Sequence, residues 1–289
     1  MKKRILYVCI ISILIIGILI RTIGISDIPN ALNVDEASSG YEAFSILNYG
    51  IDRNGNKNPA FLISWGSGQN SLLTYLAIPF VKILGLSVLA IRLPMAILGC
   101  ISLIIIYLLL KRISNKKIAI IGLAFFAICP WHIMKTRWGL ESNLFPDLIF
   151  IFIYLMIKGL QDKNKILYYL SFCIAGITAY AYSTSYLFLP LFLIPILIIL
   201  VNKKEIELKQ AVLSIIIVAI ISLPIILFVI INTFNLEQIN LPFLTIPVLK
   251  ENRYKIITSI FSGDIITTSL NNFKESVNIS ITKWWVTME

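Results

Sequence analysis

Residues Val88–Leu110 read VLAIRLPMAILGCISLIIIYLLL, 23 consecutive positions with Arg92 as their one charge. About 20 predominantly apolar residues of helix cross a bilayer core, so this stretch reads as a membrane span. Runs of similar character lie on either side of it, at Ile5–Ile23, Ile118–Trp131, Leu144–Lys158, Ile166–Tyr182, Leu187–Val201 and Ala211–Ile231. Seven such helices describe an all-α polytopic membrane protein. Composition agrees: 58% of the chain is hydrophobic and 14% charged, where soluble domains carry about 25% charged residues. With a mean hydropathy of +0.87, a chain of 289 residues holds more apolar surface than one soluble core can cover. Lipid must solvate the rest.

The net charge of +10 would fit a nucleic-acid partner, but its distribution along the chain does not. Placing the N-terminus in the cytoplasm puts four segments on one side: Lys2 to Arg4, Lys111 to Lys117, Lys158 to Lys165 and Lys203 to Lys209. They hold 13 of the 25 basic residues and, of the 15 acids, only Asp162, Glu205 and Glu207. Basic excess in short cytoplasmic loops is the positive-inside signature, which makes the charge a matter of orientation in a plasma membrane, with no nucleic acid implied. The first run extends beyond the apolar stretch of a signal peptide, and Ile23-Gly24-Ile25-Ser26 is a poor small-residue cleavage site; it reads as an uncleaved signal-anchor. Cys9, Cys100, Cys129 and Cys173 lie in or beside apolar runs with no close spacing. They suit buried small hydrophobes better than a disulfide framework or a zinc site.

Residues 1–231 thus form the transmembrane part, with a long outer loop at 25–87, and residues 232–289 form a second outer segment. Within the first loop Ala37, Tyr41, Phe44 and Leu47 recur at helical spacing among Glu36, Ser39, Glu42 and Asn48, the pattern of an amphipathic interfacial helix. Leu72–Leu84 is too short to span and carries Pro79 and Lys82; its crossing would invert every later loop, so it reads as a second juxtamembrane helix. Polar residues gather at this outer face. Asn33-Val34-Asp35-Glu36 has the form of a capping box, which accounts for Asn33 and Glu36 and leaves Asp35 unexplained, although an acid at membrane depth is costly enough to suggest a task. Trp131 to Glu141 holds Lys135, Arg137, two indoles and a carboxylate. It suits an anion site beside a general base, or equally an interfacial belt of Trp anchors and snorkelling cations. His132 reads as interfacial, with no second His to complete a familiar metal set. Arg92 either snorkels or pairs with Asp35.

The order of these segments carries a resemblance. A signal-anchor is followed by Asn33-Val34-Asp35-Glu36-Ala37, Asn48-Tyr49-Gly50, Trp65-Gly66-Ser67-Gly68-Gln69, Tyr75 to Phe80, and Ile91-Arg92-Leu93-Pro94. Pro130-Trp131-His132 and Arg137-Trp138-Gly139-Leu140-Glu141 to Pro146 come next. The series resembles the bacterial branch of glycosyltransferase family 39, related to the protein O-mannosyltransferases and the lipid A aminoarabinose transferases. The fold implied is a GT-C-type transmembrane bundle with interfacial helices in the first outer loop. The activity implied is transfer of a sugar from a polyprenyl-phosphate carrier to a protein, glycan or glycolipid acceptor on the outer face of the membrane. The resemblance makes Asp35, with Glu36 beside it, the catalytic acid of the first loop, and Glu141 the second acidic position. A phosphate leaving group needs cations, for which Arg137 leads, with Lys135 and Arg92 behind it.

The residues do not decide on a cofactor; Asp35, Glu36 and Glu141 could share a divalent cation. Two departures stand out. Gly68-Gln69-Asn70-Ser71 replaces the Lys-Pro-Pro segment of the aminoarabinose-transferase relatives, and the chain matches only the N-terminal portion of typical members, ending before their further spans. A transporter or flippase for lipid-linked saccharides is the chief rival, and an inactive fragment that only binds such lipids is another. Transporters place ionisable groups near the bilayer midplane, whereas here acids cluster at the outer rim.

Overall fold

The computed structural model describes residues 2–64 and 67–249, and these form ten α-helices and two short β-hairpins. Five helices are long and apolar enough to cross a membrane: α1 (Lys2–Thr22), α4 (Val88–Ile113), α7 (Leu144–Gln161), α9 (Ser185–Asn202) and α10 (Leu208–Thr233). The run expected to be the third span divides into α5 (Lys116–Ala127) and α6 (Pro130–Thr136), bent by 60° at the break and equivalent to a sixth span if taken as one. Pro130 opens α6, where its missing N–H would have had no helical partner. The run expected as the fifth span forms α8 (Lys165–Thr178), whose 14 residues give about 21 Å of helix against a hydrocarbon core of about 30 Å. All seven expected runs are helical, but α8 alone is too short for a complete crossing.

The spans start where side chains can satisfy their first N–H groups. Ser87, Asn115 and Asn164 each cap the helix that follows. Phe152, Phe172, Leu189, Leu193 and Ile225 join α7, α8, α9 and α10 in one core. Gly159 permits the closest approach in it: a Cβ there would stand 2.5 Å from the backbone nitrogen of Tyr168. A second cluster, Ile10, Leu103, Leu123 and Ala127, binds α1 and α5 to α4. Lys116 lies 4.6 Å from the Tyr7 ring, and Arg112 meets both oxygens of Asp162 at 2.8 Å. Those bonds hold the Asp162 carboxyl below its usual range. The start of α1, the α4–α5 turn and the α7–α8 turn therefore share one end of the bundle.

At the opposite end lie α2 (Val34–Tyr49), the hairpin β1 (Phe61–Ser64) and β2 (Ser67–Asn70), and α3 (Leu72–Leu84). The expected capping box opens α2: the Asn33 side chain accepts from the Asp35 N–H at 2.8 Å, and Glu36 accepts from the Asn33 N–H at 3.0 Å. Gly50, at φ +71°, closes it. The helix is turned inside out relative to a soluble one. Its small and polar face, including Ser38, Ser39, Gly40 and Glu42, is buried against the protein, while Tyr41 is exposed. Gly40 admits Ile91 of α4, whose Cδ1 would lie 2.4 Å from an added Cβ. Glu42 accepts from the Arg53 backbone at 3.0 Å and pairs with its guanidinium. Burial raises the Glu42 carboxyl and the bonds from Arg53 oppose the rise.

A last hairpin, β3 (Ile239–Leu241) and β4 (Leu244–Ile246), returns to the segment that leads into β1. The Ala60 N–H bonds the Thr245 carbonyl at 2.9 Å, and Phe61 stacks on Phe228 of α10 at 4.1 Å. Residues 232–249 consequently pack against the segment between α1 and α4 at the same end of the bundle. The rest of the second outer segment, 250–289, and the motif residues Trp65 and Gly66 lie outside the described residues.

Candidate active site

Glu36 and Arg92 lie at the centre of the end of the bundle that carries α2, α3 and the hairpins, and both are fully buried. Arg92 Nε donates to Glu36 Oε1 at 2.8 Å and Nη2 to Oε2 at 3.1 Å; the remaining donors reach the carbonyls of Ile25, Pro29 and Ala31 at 2.7–2.9 Å. A guanidinium has five N–H groups, and all five are used. Each Glu36 oxygen accepts a second bond, Oε1 from the Gly139 N–H at 2.8 Å and Oε2 from the Asn33 N–H at 3.0 Å. A side chain at Gly139 would come within 3.3 Å of Glu36 Oε1 and 3.2 Å of the Ile91 carbonyl, which is why the loop needs glycine there. The sequence left Arg92 a choice between snorkelling and Asp35; its partner is Glu36. Glu36, expected beside Asp35 as a catalytic acid, ties the α1–α2 connection, α4 and the Gly139 loop together, each of its oxygens accepting two N–H bonds.

Asp35 stands one residue away and is different in every respect. It is exposed, in the first turn of α2, and its carboxylate has no hydrogen-bond partner among the described residues. Glu141 sits in a short 3-10 turn, Glu141–Asn143, that precedes α7, and is near enough for the two charges to interact. Strand β2 lies between them. Gln69 Nε2 donates to the Asp35 carbonyl at 3.2 Å, and the Asn70 N–H donates to Glu141 Oε2. Asn70 also bonds Ser183 at 3.0 Å and Tyr186 at 2.6 Å. The segment that replaces Lys-Pro-Pro therefore ties the backbone at Asp35 to the carboxylate of Glu141. Asp35 and Glu141 thus lie near each other, one on either side of β2.

The expected phosphate ligands are placed otherwise. Arg137 caps the end of α1, donating to the carbonyls of Ile20, Ile23, Gly24 and Ile28 at 2.6–3.2 Å, a cation satisfying the orphan carbonyls of a helix C-terminus. Lys135 Nζ bonds Asp147 at 2.6 Å and the Asn143 carbonyl at 2.9 Å. Asp147 also accepts from His132 Nε2 at 3.0 Å, and Arg21 lies within 2.8 Å of His132 Nδ1. An arginine cannot accept, so Nδ1 must, and the ring proton sits on Nε2 facing Asp147. His132 is thus a buried link in a chain of charges, a correction to its reading as an interfacial residue. Arg21 and Asp147 were not anticipated at all. Each is an ionisable residue inside or beside an apolar run, which is itself a signal of internal pairing. The three carboxylates considered for a divalent cation do not make a ligand set: Glu36 is saturated by four N–H donors. Among the described residues no three His, Cys, Asp or Glu side chains converge as metal ligands.

These elements fall within a known family. Residues 71–230 match the family described as dolichyl-phosphate-mannose-protein mannosyltransferase, and no individually curated protein matches the chain. The matched region, more than half of the 289 residues, runs from the start of α3 into α10 and contains Arg92, the His132–Asp147 chain and Glu141; Asp35 precedes it. With its apolar helices and this match, the chain is a multi-pass membrane protein that belongs to the dolichyl-phosphate-mannose-protein mannosyltransferase family of GT-C membrane glycosyltransferases.

Proposed function

We propose that the chain transfers a sugar from a polyprenyl-phosphate carrier to a hydroxyl acceptor at the outer face of the plasma membrane. Its N-terminus lies in the cytoplasm, and α8, crossing with help from its flanks, completes seven passages. The common end shared by α1, the α4–α5 turn and the α7–α8 turn supports that orientation, because it gathers the basic loops. Asp35 takes the acceptor proton as the acceptor oxygen bonds the anomeric carbon. The glycosyl–phosphate bond breaks in the same step, and its electron pair leaves on the carrier phosphate. Glu141 orients the acceptor. Glu36, Arg92, Lys135 and Arg137 hold the frame that sets this distance, and their positive members act on the phosphate through the field.

One observation carries the reading: of the three candidate acids, Asp35, Glu36 and Glu141, Asp35 alone is exposed with a carboxylate that has no hydrogen-bond partner among the described residues, and it stands near Glu141. A general base must reach its proton at about 2.6–3.2 Å, directly or through one water, which a free carboxylate at the start of an interfacial helix can do. The test is transfer from a panel of radiolabelled polyprenyl-phosphate sugars, in membranes containing the chain or its Asp35→Asn variant. Label transfer that disappears in the variant is expected. Wild-type turnover by Asp35→Asn removes Asp35 from the mechanism. Carrier binding without transfer by the unaltered chain marks it as a binding protein instead.

A further inference from the structure

Glu141 stands on a three-residue 3-10 turn, Glu141–Asn143. A single turn fixes more backbone than its few bonds repay, so its place must be held from outside. One Glu141 oxygen takes the Asn70 N–H. The other end of the turn is held by Lys135, whose Nζ donates to the Asn143 carbonyl at 2.9 Å and to Asp147 Oδ2 at 2.6 Å. Asp147 Oδ1 accepts from His132 Nε2 at 3.0 Å, and His132 Nδ1 accepts from Arg21 Nη2 at 2.8 Å and Nε at 3.2 Å. Arg21 finishes on the carbonyls of Gly17 in α1 and of Phe126 and Ala127 in α5, at 2.9–3.0 Å. The Phe126 ring covers His132, with centroids 4.1 Å apart. An unbroken line of hydrogen bonds, most of them charge-assisted, thus runs from the last turn of α1, across the α5–α6 break, to the turn that carries Glu141. Arg21, His132 and Asp147 are fully buried, and Lys135 is 5% exposed.

Cohesion alone does not demand such a line. Well-packed apolar residues of similar volume often stabilise a buried site as well as ion pairs do, or better. What the polar groups add is direction: a planar guanidinium, one ring tautomer and a carboxylate with both oxygens used each fix the next. Resting on the proposed function, we infer that Arg21, His132 and Asp147 are positioning residues for the transfer. Through Lys135 they set the place of Glu141, and through Glu141 that of the acceptor, without touching acceptor or donor. The tautomer of His132 is part of the device. An amide offers the same two roles, one acceptor and one kind of donor, so glutamine can stand in for the neutral ring at position 132 and leucine cannot.

The test measures transfer per folded molecule in membranes containing the full chain, with the panel of radiolabelled polyprenyl-phosphate sugars as donors. His132→Leu should lower it by about tenfold or more, since a small misplacement of a reacting group is that costly, and His132→Gln should restore most of the loss. In a Glu141→Gln background His132→Leu should cost less than about twofold more, because residues acting through one another are not additive. A merely structural role would multiply the two losses, and that result overturns the inference, as does unchanged transfer by His132→Leu; both leave the proposed function standing. A Ser142→Cys reporter reads the turn directly. Its labelling by a membrane-impermeant maleimide, corrected for the chain without it, should rise about threefold or more with His132→Leu, fall back with His132→Gln, and leave a Lys82→Cys reporter on α3 unchanged. Equal labelling at position 142 in all three chains overturns the brace. Should His132→Leu fail to fold, Lys135→Met, which cuts only the last link, replaces it in both measurements. Absence of transfer by the unaltered chain from every donor overturns the proposed function and the acceptor's part in this inference, while the labelling still decides whether the line holds the turn.

Discussion

Replacing Glu36 with glutamine separates chemistry from architecture at the candidate site. The Glu36 carboxylate accepts four N–H donors, two on each oxygen, and both it and Arg92 are fully buried. A glutamine amide has one oxygen, so two of those roles remain. Its NH₂ must face either Arg92 Nη2 and the Asn33 N–H, or Arg92 Nε and the Gly139 N–H; both choices set donors against donors. Each buried donor left unpaired costs about 1–3 kcal/mol. Removing one partner of a buried ion pair costs about 3–5 kcal/mol, and the two estimates agree on a loss of that size. Asp35→Asn, one residue away on an exposed carboxylate, should shift stability by no more than about 0.5 kcal/mol. Titration with SDS in mixed micelles, followed by circular dichroism and tryptophan fluorescence, measures both. Glu36→Gln should unfold early and lose transfer in proportion to its folded fraction, and Asp35→Asn should stay folded and inactive. A Glu36→Gln protein as stable as wild type but devoid of transfer would refute the structural assignment and return Glu36 to the chemistry.

Asp147→Asn leaves Lys135 without its counter-charge in a buried setting and should destabilise by about 3–5 kcal/mol in the same titration. Gly159→Ala drives a methyl group against the Tyr168 backbone, which cannot give. It should cost about 1–3 kcal/mol and loosen α8 from α7, seen as faster cysteine labelling at Cys173 in α8. Arg137→Met releases the four carbonyls around the end of α1; limited proteolysis between residues 20 and 33 should accelerate while the α4–α10 core stays resistant.

Much of the frame was legible because run length and local capping are properties of neighbouring residues. The apolar runs gave the helices, the Asn33–Glu36 spacing gave the start of α2, and Leu72–Leu84 emerged with the bounds its composition suggested. What stayed hidden depends on partners distant in the chain. The polar stripe of α2 looked like a solvated face, but Ser38 meets Ser64, Ser39 meets Gln69 and Glu42 meets Arg53, so the polar side packs inward while Tyr41 and Tyr49 are exposed. The same holds at the candidate site. Asp35 and Glu36 are indistinguishable as adjacent acids, and only the position of Arg92, 56 residues later, divides their tasks. Lys135 and Arg137 looked like snorkelling or phosphate-binding cations because nothing local announces Asp147 or the carbonyls of α1 as their targets. The two hairpins are four- and three-residue strands, too brief for an alternating pattern to declare itself.

The guanidinium that closes the end of α1 comes from far along the chain, 117 residues after Ile20. Ribosomes add about 5–20 residues per second, so roughly 6 to 23 s separate synthesis of the helix end from synthesis of its cap. Throughout that interval the end of α1 lacks the guanidinium that bonds its carbonyls, and Arg21, in its final turn, lacks His132 as well. The anchor is thus completed retrospectively, when the third apolar run arrives. A ribosome stalled before residue 130 would display an unfinished terminus, and quality-control machinery that senses exposed backbone polarity would have a timer built into the gene's own length to read.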